Sequence, residues 1–259
     1  MIRVCVAGIT GWTGGPIAAA IAGADDLELV AGVSRARAGE RHEQLGVPIL
    51  GSVAEALEGA GVDVVVDFTD AGAVKENVLV ALAGGVSVVV GSSGLTAADF
   101  EEIDRRAREA GVGVIAAGNF SLLAALLSRS AAEIARHVPA WEIIDYASAA
   151  KPDVPSGTSR ELAERLGEVG GAALGRPLED LHGPVEARGA TVAGTQIHSV
   201  RLPSFVVSTE IVFAAAGERL TLRHDPGESP APYVAGTLLA IRSVKSRKGL
   251  TRGLDALIP

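Results

Sequence analysis

Val6-Ala7-Gly8-Ile9-Thr10-Gly11-Trp12-Thr13-Gly14 is the stretch whose reading decides the fold. The run Ile2–Ala7 is short, apolar and rich in β-branched residues, which fits a buried strand. Pro16–Gly23, built of small residues, fits a helix. A strand that turns through three glycines into a helix is the context that separates a dinucleotide-binding turn from chance glycines. Gly8 permits a tight turn, Gly11 lets the backbone approach a pyrophosphate at the helix N-terminus, and Gly14 lets helix and strand pack closely. Thr10, Trp12 and Thr13 complete the turn and join Gly8 and Gly11 as expected cofactor contacts. The spacing of three and three differs from the commoner GxGxxG. A helix-opening turn that receives some other ligand therefore stays open as an alternative.

Working outward, strands are expected at Leu27–Val33, Val62–Phe68, Val86–Val90 and Val112–Ala116. Helices are expected at Val53–Glu58, Val74–Ala83 and Ala97–Ala110, the last opened by Thr96 with Asp99 three residues on. Apolar strands alternating with helices indicate βαβ units and an α/β fold with a Rossmann-like, doubly wound parallel sheet. The tip of the second strand reads Val33-Ser34-Arg35-Ala36-Arg37, with no carboxylate for an adenosine ribose. Ser34, Arg35 and Arg37 suit a 2′-phosphate instead, which favours NADPH and leaves NADH possible. The alternative is that these arginines are solvated loop residues.

The alternation changes after Asn119. Leu122–His137 reads as a long helix, Trp141–Tyr146 as a strand and Ser159–Val169 as a helix. Gln196–Leu202, Val206–Ala214 and Arg219–His224 read as clustered strands. The organisation expected is a dinucleotide-binding domain over residues 1–118 and an α+β substrate-binding and oligomerisation domain with a mixed sheet over 119–227. A C-terminal helical segment, 228–259 with its helix at Tyr233–Ser246, returns to the first domain. Between strand and helix stands Lys151-Pro152-Asp153-Val154-Pro155-Ser156-Gly157-Thr158. Ser156, Gly157 and Thr158 place hydroxyls and backbone N–H groups at a helix N-terminus, a pocket for a substrate carboxylate. Lys151 adds a positive charge and a transferable proton. A simple capping turn would also explain Ser156 and Thr158.

Composition narrows the function. A single cysteine, Cys5, excludes a disulfide framework and a cysteine-based zinc site. The net charge of −8 argues against nucleic acid as a partner. The basic stretch Arg242–Arg252 reads as a solvated helix end. The apolar runs are too short to span a membrane, and the N-terminal run lacks the pattern of a signal peptide, so a cytoplasmic protein is expected. His42, His137, His182, His198 and His224 show no metal-ligand spacing, although His198 and His224 could meet in space. No GxSxG elbow supports hydrolase chemistry.

Lys151–Thr158, read as KxDxPSGT, together with the N-terminal glycine turn, resembles the dihydrodipicolinate reductase family. Further pieces recur in the family's order: Asp67-Phe68-Thr69, Gly91-Ser92-Ser93-Gly94, Gly118-Asn119-Phe120-Ser121, His198-Ser199-Val200-Arg201, and Gly217-Glu218-Arg219-Leu220 with His224. The resemblance covers nearly the whole chain. It implies an NAD(P)H-dependent reductase acting on 4-hydroxy-tetrahydrodipicolinate in the diaminopimelate and lysine pathway, with Lys151 as general acid and a homotetramer built through the substrate domain. It adds Phe68, Thr69, Gly91, Ser93, Gly118 and Phe120 to the cofactor contacts. Ser148 and Arg201 join Ser156, Gly157 and Thr158 on the substrate side.

The sequence departs from the family where a His-His pair precedes the lysine; Ala147 and Ser148 stand there. Trp12-Thr13 replaces the usual Arg-Met of the glycine turn, and Glu228-Ser229-Pro230 follows His224 in place of Ser-Arg. Two rival readings follow: an imine or enamine reductase of another substrate in a specialised pathway, and a catalytically inactive nucleotide-binding protein.

Overall fold

A computed structural model describes residues 1–59, 61–173 and 175–258. The chain divides into two units, Met1–Leu122 with Pro230–Pro259, and Leu123–Ser229.

The first unit carries β1 (Ile2–Ala7), α1 (Gly14–Ala22), β2 (Leu27–Val33), β3 (Ile49–Leu50), α2 (Val53–Gly59), β4 (Val64–Asp67), α3 (Val74–Ala83), β5 (Ser87–Val90), α4 (Ala97–Ala110) and β6 (Gly113–Ala116). The strands β4, β5 and β6 are buried at every position, as expected of a parallel sheet covered on both faces. Valines 65, 88 and 114 pack with Val78, Ile103 and Ala107 of α3 and α4 in one core. Helix α4 starts where its capping box sets it: Thr96 Oγ1 accepts from the Asp99 N–H while Asp99 accepts from the Thr96 N–H. Gly111, at φ 73°, closes it in the left-handed region.

After the second unit the chain returns as α7 (Ala231–Val244) and β12 (Gly249–Arg252). The first sheet runs β12-β6-β5-β4-β1-β2-β3, all parallel. Strand order reverses at β1, with β4 on one side and β2 on the other, and this crevice is where such sheets take a dinucleotide. The expectation of a helical C-terminal segment is corrected here. After α7 it supplies an edge strand, because its backbone pairs with β6 from Gly249↔Gly113 to Arg252↔Ala116. Arg242 and Lys245 stand exposed at the end of α7, as expected of a solvated helix end, and each also pairs with an acid. Arg242 is bidentate to Asp26 at 2.7 and 2.8 Å, and Lys245 pairs with Asp63 at 2.6 Å, so the basic residues fasten α7 down.

The second unit begins within α5 (Leu122–Ala135) and holds β7 (Ala140–Ala147), α6 (Gly157–Gly167), β8 (Ala190–Val192), β9 (Thr195–Arg201), β10 (Val207–Ala215) and β11 (Glu218–His224). Its sheet runs β11-β10-β7-β9-β8 and is mixed: β7 is antiparallel to β10 and parallel to β9. Along β7, Trp141, Ile143, Asp145 and Ala147 are buried, and the apolar pair packs with Ala131 and Ala135 of α5 and Leu162 and Leu166 of α6. Glu142, Ile144 and Tyr146 alternate with them on the other, half-open face. His198 and His224 do not meet, because β7 and β10 lie between their strands. His198 Nε2 instead sits 2.7 Å from Glu142 Oε2.

Candidate functional site

In the first unit the residues expected at the cofactor gather where the parallel strands end. Gly8 leaves β1 at φ 84°, and a Cβ there would lie 2.3 Å from the Phe68 carbonyl oxygen. A Cβ on Gly14 would lie 2.1 Å from the Gly8 carbonyl oxygen, so the helix closes on the turn only without a side chain. Helix α1 opens with no side-chain cap and no acid in its first turn. A helix N-terminus left open in this way, beside a turn that admits no Cβ, fits the pyrophosphate of a dinucleotide. Thr10 and Ser34 bring their hydroxyls within 3.1 Å across the crevice. Trp12 stays exposed, with Tyr233 edge-on at 6.2 Å between ring centroids.

The arginines after β2 are not idle. Arg35 Nη2 pairs with Asp70 at 3.2 Å, and Arg37 is held by Glu40 and, at 3.6 Å, by Glu43. Asp70 was not foreseen, since it comes from the loop after β4. Phe68 and Phe120 stack edge to face at 5.6 Å, and a Cβ on Gly91 would lie 2.1 Å from the Phe68 ring. Phe120 is only 2% exposed, and its side chain belongs to the core. Gly118 and Ser93 are exposed after β6 and β5.

Thr69 is placed by Asp67, a fully buried carboxylate. Asp67 accepts from Thr69 N–H at 3.1 Å, Thr69 Oγ1 at 2.7 Å, Ser92 Oγ at 2.5 Å and Asn77 Nδ2 at 2.8 Å. It thereby ties the loops after β4 and β5 to α3. Burial, with the Asp67 charge adding to it, pushes the neighbouring Cys5 thiol up to about 12, so Cys5 is an inert core residue.

In the second unit Lys151, Ser148, Ser156, Gly157, Thr158 and Arg201 come together between the end of β7, the end of β9 and the start of α6. Lys151 Nζ lies 2.8 Å from Asp153 Oδ1. Ser148 Oγ accepts from the Ala150 N–H at 3.3 Å, inside its own turn. Ser156 is buried. Its N–H and Oγ both donate to Asp145, at 3.0 and 2.6 Å, and its oxygen caps α6 by accepting from Ser159 N–H. The helix opening therefore presents Gly157 and Thr158, both partly exposed.

Arg201 is held inside the same loop. Its Nη2 donates to Asp145 Oδ2 at 2.7 Å and to the Asp153 carbonyl at 2.8 Å, and its Nη1 donates to the Asp145 carbonyl at 3.2 Å. It braces the loop from within. Asp145 takes further bonds from Ser159 Oγ at 3.1 Å and Ser199 Oγ at 3.0 Å. Burial works against its charge, but the bonds from Ser156 and Arg201 outweigh it and hold the carboxyl below the usual carboxylate range.

Among the described residues no helix is long and apolar enough to cross a membrane, and no group of histidine, cysteine or acidic side chains is placed to hold a metal. Two family models meet end to end along the chain, dihydrodipicolinate reductase N-terminus over residues 2–120 and C-terminus over residues 121–258. The chain belongs to the dihydrodipicolinate reductase family. A 4-hydroxy-tetrahydrodipicolinate reductase of Thermosynechococcus vestitus is 38% identical, covering 99% of this chain and 97% of that one. The enzyme of that name from Streptococcus thermophilus is 37% identical over 99% of both chains. Among solved structures, a dipicolinate-bound dihydrodipicolinate reductase of Paenisporosarcina sp. TG-14 superposes with TM-score 0.79 over the full length of both chains at 28% identity. GenD2 from gentamicin A biosynthesis, in complex with NAD, shares the fold at TM-score 0.67 and 16% identity, covering 99% of this chain and 90% of that one. The dihydrodipicolinate reductase family is one of reductases.

Proposed function

We propose that this member of the family is an NAD(P)H-dependent reductase of a small carboxylated cyclic imine, 4-hydroxy-tetrahydrodipicolinate in the diaminopimelate and lysine pathway. The Lys151–Thr158 loop carries the reading: it places an ammonium group and a helix N-terminus in one internally braced segment. In this reading residues 1–118 with 228–259 bind the dinucleotide, and residues 119–227 bind substrate and assemble. A bound nicotinamide supplies the hydride. The open start of α1 receives the pyrophosphate, and the opening of α6 at Gly157 and Thr158 orients a substrate carboxylate. Lys151 Nζ holds the proton that goes to the ring atom beside the hydride acceptor. The test is NADPH oxidation with freshly generated 4-hydroxy-tetrahydrodipicolinate; absence of turnover would remove this substrate.

The anion-binding role of α6 has its own check. Thr158→Val keeps the shape and loses the hydroxyl. Substrate affinity should fall about ten-fold or more while NADPH affinity stays within about two-fold, the scale of one hydrogen bond to a charged group. A collapse of NADPH binding would move the loop to the cofactor.

NADPH is the preferred cofactor in this reading, through Arg35 and Arg37, with NADH still accepted. Asp70 competes for Arg35, so Asp70→Asn should raise the NADPH-to-NADH affinity ratio and Arg35→Ala should lower it. Each shift should be about two- to five-fold, as for an exposed ion pair. Titration showing the same ratio in both variants would take Arg35 away from the 2′-phosphate.

Positions 147 and 148 favour a second reading. Ala147 is fully buried and Ser148 bonds within its own turn, so neither provides the imidazole found in the family. A different ring imine would keep the hydride and proton steps and change the pocket. It predicts a protein inert on 4-hydroxy-tetrahydrodipicolinate and active on another cyclic imino acid.

A cytoplasmic homotetramer completes the proposal. The half-open face of the second sheet carries Ile144 and Tyr146. Tyr146 stacks on Phe205 at 5.2 Å and lies under Arg223 at 4.8 Å. A sheet face of this kind is suited to cover by a second sheet.

A further inference from the structure

The Lys151 side chain has one charged neighbour that the chemistry above does not use. Asp153 Oδ1 lies 2.8 Å from Lys151 Nζ, and the two side chains are 25% and 26% exposed. The other carboxylate oxygen, Oδ2, is buried and takes no hydrogen bond among the described residues. The charge of Asp153 is therefore directed at Lys151 rather than divided among several donors. The backbone of the same residue is fixed as well: its carbonyl accepts from Arg201 Nη2, which is locked onto buried Asp145. Asp145 in turn holds the N–H and hydroxyl of Ser156 at the start of α6. At the other end of the loop, Lys151 N–H donates to the Ser148 carbonyl at 3.0 Å, and Ala149 N–H to the Leu202 carbonyl at 3.2 Å. The segment that carries the lysine is thus pinned at three places, and the lysine's flexible stem is the part left to be oriented.

We propose that Asp153 is the positioning residue for Lys151, a carboxylate on a fixed backbone that holds the ammonium group in one place beside the anion-binding start of α6. This rests on the reductase reading for its catalytic meaning. A free lysine stem samples many rotamers, and a proton donor that must meet one ring atom loses rate with each unproductive one. No proton passes through Asp153. The ammonium gives its proton to the ring atom as the hydride arrives, and the neutral amine regains one from water.

Two measurements separate this inference from the reading beneath it. The first needs no substrate. Trinitrobenzenesulfonate attacks the free amine, and peptide mass spectrometry gives the labelling rate of Lys151 relative to exposed Lys248 in the same molecule. In Asp153→Asn, and in Asp153→Ser should the first variant fail to fold, relative labelling of Lys151 should rise about ten-fold, the scale of one charge-assisted hydrogen bond. A ratio within about two-fold of wild type in the folded variant would overturn the proposal. The second is kinetic. Asp153→Asn should lower kcat about ten- to a hundred-fold with both KM values within about two-fold, and Asp153→Glu should restore most of the loss. A loss confined to KM, or no rescue by glutamate, would also overturn it. A wild type inert on every cyclic imine tested would defeat the reductase reading, while the labelling ratio would still decide whether Asp153 holds the lysine.

Discussion

Lys151→Met should lower NADPH-dependent turnover about 10²–10⁴-fold, the range for losing a positioned general acid, while NADPH affinity stays within about two-fold. Methionine keeps most of the stem volume and removes the ammonium group. The variant also leaves Asp153 without its partner, so a negative charge would face an anionic substrate and KM should rise. Lys151→Arg is the informative companion. It keeps the charge and the contact with Asp153 but holds its proton too firmly to give it up, so KM should recover and kcat should not. Steady-state kinetics on the three proteins, with NADPH binding followed by fluorescence, provides the check. Turnover of the methionine variant within about ten-fold of wild type would remove Lys151 as the proton donor.

Arg201→Leu should destabilise the second unit by about 3–5 kcal/mol, the cost of removing one partner of a buried ion pair. The Arg201 side chain is 15% exposed and Asp145 is fully buried. Without the guanidinium, Asp145 keeps only neutral donors from Ser156, Ser159 and Ser199. Urea unfolding would measure the loss. The double variant Arg201→Leu with Asp145→Asn should recover part of it, because the uncompensated charge is gone. The pair also fixes a direction with pH. The Asp145 carboxyl is held below its ordinary value in the folded state, so the unfolded chain binds its proton first. Its contribution is complete above the ordinary carboxylate range, near about 4, and is lost as pH falls through the folded value. Wild type should therefore lose stability on acidification more steeply than the double variant. Equal acid sensitivity would mean that Asp145 contributes nothing through its charge.

The elements legible in the sequence are those whose determinants are local. Helix α4 follows from Thr96 and Asp99, and β4 to β6 from valine runs that only a sheet covered on both faces can bury. The edge strand Gly249–Arg252 is different. Its four residues carry one leucine and no alternation, and they form a strand because β6 offers them an unpaired edge. At the site, Lys151 and the opening of α6 were visible as a motif. The inward turn of Ser156 was not, because a serine before a helix reads the same whether its hydroxyl faces a ligand or a buried acid. Asp145 occupies one of the inward positions of an alternating strand, and its counter-charge Arg201 comes 56 residues later. Only the register of β7 with β9, Ala147 opposite Arg201, brings the two together.

The pairing of β12 with β6 has a bearing on how the molecule comes into being on the ribosome. The sheet of the first unit is completed by residues beyond Pro230, so until they are made β6 has no partner on its outer side. An open parallel edge is a template for wrong partners. The second unit, Leu123–Ser229, is contiguous in sequence and can complete its own core during that interval. Synthesis thus leaves an unfinished half waiting on a finished one, and the interval ends when α7 and β12 arrive.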